Sequence, residues 1–193
     1  MAYNITVIVY VVVQFVAFLL VLAGTPLEMF RSVEKDASFN NICISLWGFK
    51  TNCSAIPYDY TVDKLFSGCP QILNQFHAAQ AFAIISILVY LAAFIAGLTL
   101  LFCCSFLRLV CLALNIVGSV TLCVVWALMV LSFYKEESPL CPSLGYGGTF
   151  ASGFVLLIVS WVLDTINIIL LLLPCTTTDA AQDKTEEPPT AQE

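Results

Sequence analysis

The feature that most constrains this chain is the length of its charge-free stretches. Residues 1–27 contain no Lys, Arg, Asp or Glu, residues 72–134 contain only Arg108, and residues 138–178 contain only Asp164. A run of about 20 mostly apolar residues is long enough to cross a bilayer as a helix. The whole chain is 60% hydrophobic and 10% charged, whereas an average soluble domain carries about 25% charged residues. A polytopic membrane protein, with the lipid bilayer as its solvent, is the class that fits. A net charge of −6 with only 7 Lys and Arg argues against a nucleic-acid partner.

The spacing predicts a mostly α membrane protein, a left-handed bundle of four transmembrane helices at about 4–24, 77–102, 107–133 and 150–173, forming one domain over residues 1–175. All eight prolines fall outside these spans, as expected if helix interiors exclude proline. The first span reads as an uncleaved helix, since it has no basic leader and exceeds the usual apolar core of a signal peptide. Between the helices lie loops 25–76 and 134–149 and a tight link near Cys103. Residues 176–193 read as a disordered acidic tail on the cytoplasmic side. Four crossings put both termini on one side and both larger loops on the other. Basic residues place the long loop inside, because Arg31, Lys35, Lys50, Lys64 and Lys135 lie in the loops against Arg108 and Lys184 elsewhere. Cysteine chemistry argues the reverse, and it is the stronger argument here.

Nine cysteines are present, and Cys43, Cys53, Cys69 and Cys141 all fall in the two larger loops. An even set on one side suits an oxidising compartment, and a loop of this size needs staples to hold a fold. Ile42, Ile44 and Leu46 alternate with Cys43, Ser45 and Trp47 at the period of a strand. A hairpin turning near Gly48, where glycine can take a positive φ, would place Cys43 opposite Cys53; the alternative is two unrelated free thiols. Cys69 and Cys141 each precede a helix by a few residues, and a second disulfide between them would tie the loops together. Here the alternatives are a free thiol or a bond between molecules.

Residues 43–53 read Cys-Ile-Ser-Leu-Trp-Gly-Phe-Lys-Thr-Asn-Cys. This stretch resembles the signature of the amastins, surface glycoproteins of kinetoplastid parasites, at every specified position: Cys43, an apolar Ile44, Ser45, Leu46, an aromatic Trp47, Gly48, a basic Lys50, a polar Asn52 and Cys53. The four-helix layout with a long first loop is similar too, so the likeness covers most of the chain. More distantly the pattern resembles claudin-like four-helix proteins, whose first extracellular loop is a small disulfide-linked sheet, although Trp47 here lies between the cysteines rather than before the first. The resemblance implies such a stapled β-sheet in the first extracellular loop, a multi-pass protein of the plasma membrane with both termini cytoplasmic, and no settled molecular activity. It leaves a homo-oligomer or a host or parasite surface partner open as the binding partner of the loops.

Other features have two readings each. Cys103 and Cys104, near Cys111 and Arg108 at the inner boundary, are candidate palmitoylation sites or ordinary small apolar residues. Asn52-Cys53-Ser54 is a candidate N-glycosylation sequon, with its middle residue in the expected disulfide; Asn4-Ile5-Thr6 also matches but lies on the inner side. Trp47 packs on the loop sheet or makes an exposed contact, the first being preferred, and Phe49 is the more open of the two. Small residues at four-residue spacing (Ala92 and Ala96, Ala93 and Gly97, Gly148 and Ser152) allow close helix packing. Gly145-Tyr146-Gly147-Gly148 lacks the spacing of a nucleotide loop and reads as a flexible lead into the fourth helix.

No catalytic, metal or cofactor motif is visible, so an enzyme is not expected. Asp164 is the one acid within the spans. At 1.5 Å per residue, Gln14, Asn115 and Asp164 lie roughly 12–15 Å above the inner ends of three different helices, with Asn167 a turn from Asp164 on the same face. An intramembrane carboxyl needs partners, so these residues are expected to form a hydrogen-bonded polar layer that fixes the bundle's register. The leading functional expectation is a structural or interaction protein acting through its stapled loops. The alternative is a proton or ion transporter that uses Asp164.

Overall fold

A computed structural model describes residues 5–32, 42–102, 106–139, 141, 143–145 and 148–173. Cys103, Cys104, Asn4 and the acidic tail lie outside the described residues. The helices are α1 (Ile5–Gly24), a short α2 (Val62–Leu65), α3 (Pro70–Leu100), α4 (Phe106–Tyr134) and α5 (Ser152–Leu172). All but α2 are long and apolar enough to cross a membrane.

The buried positions show how these helices meet. In α3 they are Ile72, Phe76, Ala79, Ala83, Ser86, Tyr90, Ala93 and Gly97. In α5 they are Gly153, Leu157, Ser160, Asp164, Asn167 and Leu171. Steps of four and three alternate, and this 3.5-residue period is the one that winds helices left-handed about each other. Small and polar residues fill most of these inner positions, while Ile8, Val12, Phe15, Leu19, Ile84, Leu88 and Ile95 point outward. A lipid solvent produces this distribution, because apolar side chains lose nothing by facing hydrocarbon and small ones let backbones approach. The helices close a ring in which α1 packs on α3 and α5, and α4 packs on α3 and α5.

The second long helix begins at Pro70, seven residues before the expected start at 77. Proline is tolerated there because the first helical amide has no partner within the helix. The next two amides are satisfied from a distance: the Glu137 carboxylate accepts from the Gln71 amide at 3.0 Å and the Ile72 amide at 3.2 Å. Its negative charge also suits the positive end of the helix dipole. At the opposite end of the bundle, the Arg108 guanidinium donates to the Leu171 and Leu173 carbonyls, which closes the C-terminus of α5. With 31 residues, α3 is about 46 Å long, longer than the hydrocarbon layer of about 30 Å. One end therefore stands clear of the membrane, and the sheet rests on it.

The sheet has five antiparallel strands in the order β4-β3-β2-β1-β5. They are β1 (Glu28–Ser32), β2 (Cys43–Ser45), β3 (Gly48–Lys50), β4 (Tyr60–Thr61) and β5 (Gly148–Phe150). The first loop supplies four of them. The fifth comes from the second loop, so the sheet expected in the first loop alone is woven from both. Gly148 is therefore a strand residue and not half of a helix-packing pair with Ser152. Beneath the sheet, Met29, Phe30, Leu46, Val62, Phe66, Ile72 and Phe76 are buried in one cluster that runs on into the bundle. Phe150 stacks between Phe133 and Phe154, at 4.2 Å from each. His77 and Asp63, 2.9 Å apart, join α3 to α2.

The bundle and the sheet meet where α1 crosses α5. A Cβ placed on Gly153 would lie 2.8 Å from both the Gly24 and Glu28 carbonyl oxygens, and those backbone atoms have no room to move. Gly153→Val should therefore destabilise the protein by about 1–3 kcal/mol, as overpacking does. Gly68→Ala should be neutral, since an added methyl meets nothing within 4 Å. Thermal unfolding of both variants in lipid nanodiscs checks the pair.

Candidate functional site

Two places bring the sequence-predicted residues together: the hairpin at residues 43–53 and the polar layer inside the bundle. In the hairpin, Cys43 pairs with Lys50 and Ile44 with Phe49. The turn therefore falls at Leu46 and Trp47, not at Gly48 as the sequence suggested. Ser45 makes this turn. Its Oγ accepts from the Trp47 and Gly48 amides at 3.2 and 3.1 Å and donates to the Gly48 carbonyl at 3.0 Å, so a short polar side chain closes the loop. Leu46 is fully buried, and its carbonyl accepts from the Gln80 side chain at 2.9 Å, which docks the turn on α3. Trp47 is half-buried and packs against the core. Gly48 is required by close approach and not by a left-handed backbone: a Cβ there would lie 2.6 Å from the Tyr60 carbonyl oxygen on β4.

The second half of the signature curls back. Lys50 donates to the Ala55 carbonyl at 2.8 Å and lies over the Tyr58 ring, 4.7 Å from its centre. The exposed Asn52 side chain accepts from the Ser54 amide at 3.0 Å. This fold-back, and not a ladder position opposite Cys43, carries Cys53 into its disulfide with Cys43, at a Cα separation of 5.4 Å. Cys69 and Cys141 form the second disulfide, at a Cα separation of 5.8 Å across 72 residues of chain. Within the bundle, Cys111 and Cys123 are free thiols.

In the polar layer, Gln14, Asn115, Asp164 and Asn167 are all buried, at 0–1% exposure. The sequence argument expected Asp164 to pair with Asn115 or Gln14, and the structure arranges the groups differently. Asn167 donates to the Gln14 side-chain oxygen at 2.7 Å. Asn115 donates to the Tyr10 hydroxyl at 2.9 Å and to the Cys111 carbonyl of its own helix at 2.7 Å. The group facing Asp164 is the Tyr90 hydroxyl, and Ser160, one turn from Asp164, donates to the Ala17 carbonyl at 2.9 Å.

Tyr10 and Tyr90 were not picked out from the sequence. A signal was available in the glycines opposite them. A Cβ on Gly97 would lie 2.8 Å from the Tyr10 ring, and one on Gly118 would lie 2.9 Å from the Tyr90 ring. Glycines in otherwise bulky helices here make room for tyrosines on their neighbours.

One exposed group in the hairpin region is tuned by its contacts. Asp59 accepts from the Thr51 amide at 2.7 Å and from its hydroxyl at 2.8 Å. These bonds hold its carboxyl below the usual carboxylate range. A depressed value means that the charged form stabilises the fold-back. That contribution is present above the ordinary carboxyl value of about 3.9 and is lost as pH falls through the lower folded value. The protection factor of the Thr51 amide, its exchange rate measured by NMR against the intrinsic rate at the same pH, should fall as Asp59 is protonated in acid, and Asp59→Asn should blunt that pH response.

Comparison with known families finds a match over residues 15–171 to the model for amastin surface glycoprotein. No curated protein matches the chain. The matched span takes in the second half of α1, the whole sheet, both disulfides and almost all of α5. A four-helix protein of this construction, matched over most of its length, belongs to the amastin surface glycoprotein family, whose members are membrane proteins of the cell surface.

Proposed function

We propose that this protein is a structural or interaction protein of the plasma membrane, making contacts through its stapled sheet and carrying out no reaction of its own. In this reading the sheet faces outward and both termini are cytoplasmic. The observation that carries it is that both disulfides lie at the same end of the bundle, Cys43–Cys53 closing the hairpin of the first loop and Cys69–Cys141 tying that loop to the second, where β1 and β5 join the two in one sheet. Disulfides persist in oxidising surroundings, and a woven, covalently closed sheet suits a surface that must keep its shape while touching something else.

Two of the five basic residues that argue for the opposite orientation are engaged by the fold. Arg31 pairs with Glu28, and Lys50 is held by Ala55 and Tyr58. The candidate contact face is the outer rim of the sheet. Ile56 is 91% exposed and Tyr60 53% exposed, with Phe49 against Tyr60 at 6.3 Å. A second copy of the chain or another surface protein would meet this rim. Asn52, exposed beside it, is the candidate glycan acceptor.

Protease treatment of intact cells should remove an epitope inserted next to Asp59 and spare one at Glu193; the opposite protection pattern would invert the topology. A photo-crosslinker at Ile56 should trap protein in native membranes. Capture of lipid alone would contradict a contact role for this rim.

A further inference from the structure

Three side chains that no linear motif would connect meet on one face of the sheet. Glu28 on β1 lies opposite Ser45, and Arg31 lies opposite Cys43. Residues three apart on a regular strand face opposite sides. The register shift between Glu28 and Phe30 changes this, as a bulge does when it re-aims a side chain, and Glu28 comes to share a face with Arg31 and Cys43. The disulfide brings Cys53 to the same place from the fold-back. A carboxylate oxygen of Glu28 and the two sulfurs all lie within 4.8 Å of one another. A cavity of about 90 Å³ adjoins them, lined by these three residues with Leu27, Ser45 and Lys50. A water occupies about 30 Å³, so the cavity has room for an ion and a water. Ser45 Oγ is committed to the turn, and the Arg31 guanidinium donates to the Glu28 carboxylate.

We propose that, when the Cys43–Cys53 disulfide is reduced, Cys43, Cys53 and Glu28 hold one zinc ion, so that the hairpin is closed by metal in place of the sulfur–sulfur bond. Cys53 is half-buried and Cys43 buried, so a small thiol attacks at Cys53. Two such thiols supply the electrons: the protein's sulfur–sulfur bond breaks, the thiols join as their own disulfide, and each cysteine takes a proton. Zinc then releases those two protons to solvent and forms two zinc–sulfur bonds and one zinc–oxygen bond. Thiolates with a carboxylate are zinc ligands, and the cavity leaves the fourth tetrahedral position to water. Zinc bonds of about 2.0–2.3 Å keep ligand atoms about 3.3–3.8 Å apart, so donors already within 4.8 Å need only small side-chain shifts. Two thiolates and a carboxylate leave the bound ion with one excess negative charge, which Arg31 balances. Its hydrogen bond to Glu28 is the outer support that a ligating carboxylate carries. The site does not rest on the contact role of the rim.

The test uses the full-length protein in lipid nanodiscs, reduced with a phosphine and titrated with zinc alone. Residue-resolved alkylation, read by mass spectrometry, should show zinc shielding Cys43 and Cys53 together, saturably, and leaving Cys69 and Cys141 as reactive as without metal. Cobalt in place of zinc should give the charge-transfer absorption of a thiolate-bound ion, and the oxidised protein should give none. Cys43→Ser should abolish the shielding of Cys53. Glu28→Gln should weaken zinc binding by at least about tenfold, since loss of a ligand's outer support alone costs that much. The shielding is read on the wild-type chain, so a variant that fails to fold does not remove the test. Alkylation of Cys43 and Cys53 that ignores zinc overturns the proposal, as does shielding of all four loop cysteines alike, or zinc binding that Glu28→Gln leaves unchanged.

Discussion

The pairing of β1 with both β2 and β5 is the interaction on which the rest of the structure hangs. β1 leaves α1 after a three-residue link, and β5 leads into α5 through Ala151, whose amide donates to the Met29 carbonyl at 2.9 Å. The two helices that pack most intimately at their glycines, α1 and α5, therefore continue directly into adjacent strands. The sheet is not a loop domain on a tether; it is the continuation of the bundle in hydrogen-bonded form. Cys69–Cys141 and the Glu137 carboxylate on the start of α3 fasten the remaining pair of helices to the same platform.

Two solvents act on one chain here, and each shapes its own half. In the bundle, apolar side chains face outward, and the interior sets serines, Thr121, amides and an acid among buried apolar residues such as Leu122, Met129 and Leu157. In the sheet, the apolar side chains of Met29, Leu46 and Phe66 turn inward and Asn52, Asp59 and Tyr60 face out. The boundary is the aromatic layer of Phe30, Phe133, Phe150 and Phe154, in which the core of the sheet and that of the bundle merge. A rigid junction of this kind transmits any displacement of the sheet to the helices, and through the Gln80 contact with Leu46 to α3 in particular.

Much of this was legible in the residues, and the failures have physical causes. Charge-free runs located the spanning helices because lipid admits little else. They missed the first turns of α3 because the helix outlasts the membrane, and residues such as Gln71 and Asn74 carry no apolar signal. The cysteines and the alternating residues mark the hairpin, but its turn falls at Leu46 and Trp47, just before Gly48. Glycine suggests a turn residue, whereas Ser45 makes the turn and Gly48 is there for the approach of Tyr60. The fifth strand was invisible because residues 148–150 acquire their strand character only from β1. Depth counting brought Gln14, Asn115 and Asp164 to one level, but not their partners, since rotation about each helix axis is set by packing. Tyr10 and Tyr90 entered the layer through glycines on neighbouring helices.

The direct test is disulfide mapping of the protein taken from intact membranes, with free thiols blocked before digestion and peptides analysed without reduction. The structure predicts two linked pairs, Cys43 with Cys53 and Cys69 with Cys141, and blocked thiols at Cys111 and Cys123 once the bundle is denatured. A Cys53–Cys69 link, or free thiols at all four loop positions, would contradict a sheet stapled to its helices and with it the reading of that sheet as a rigid surface platform.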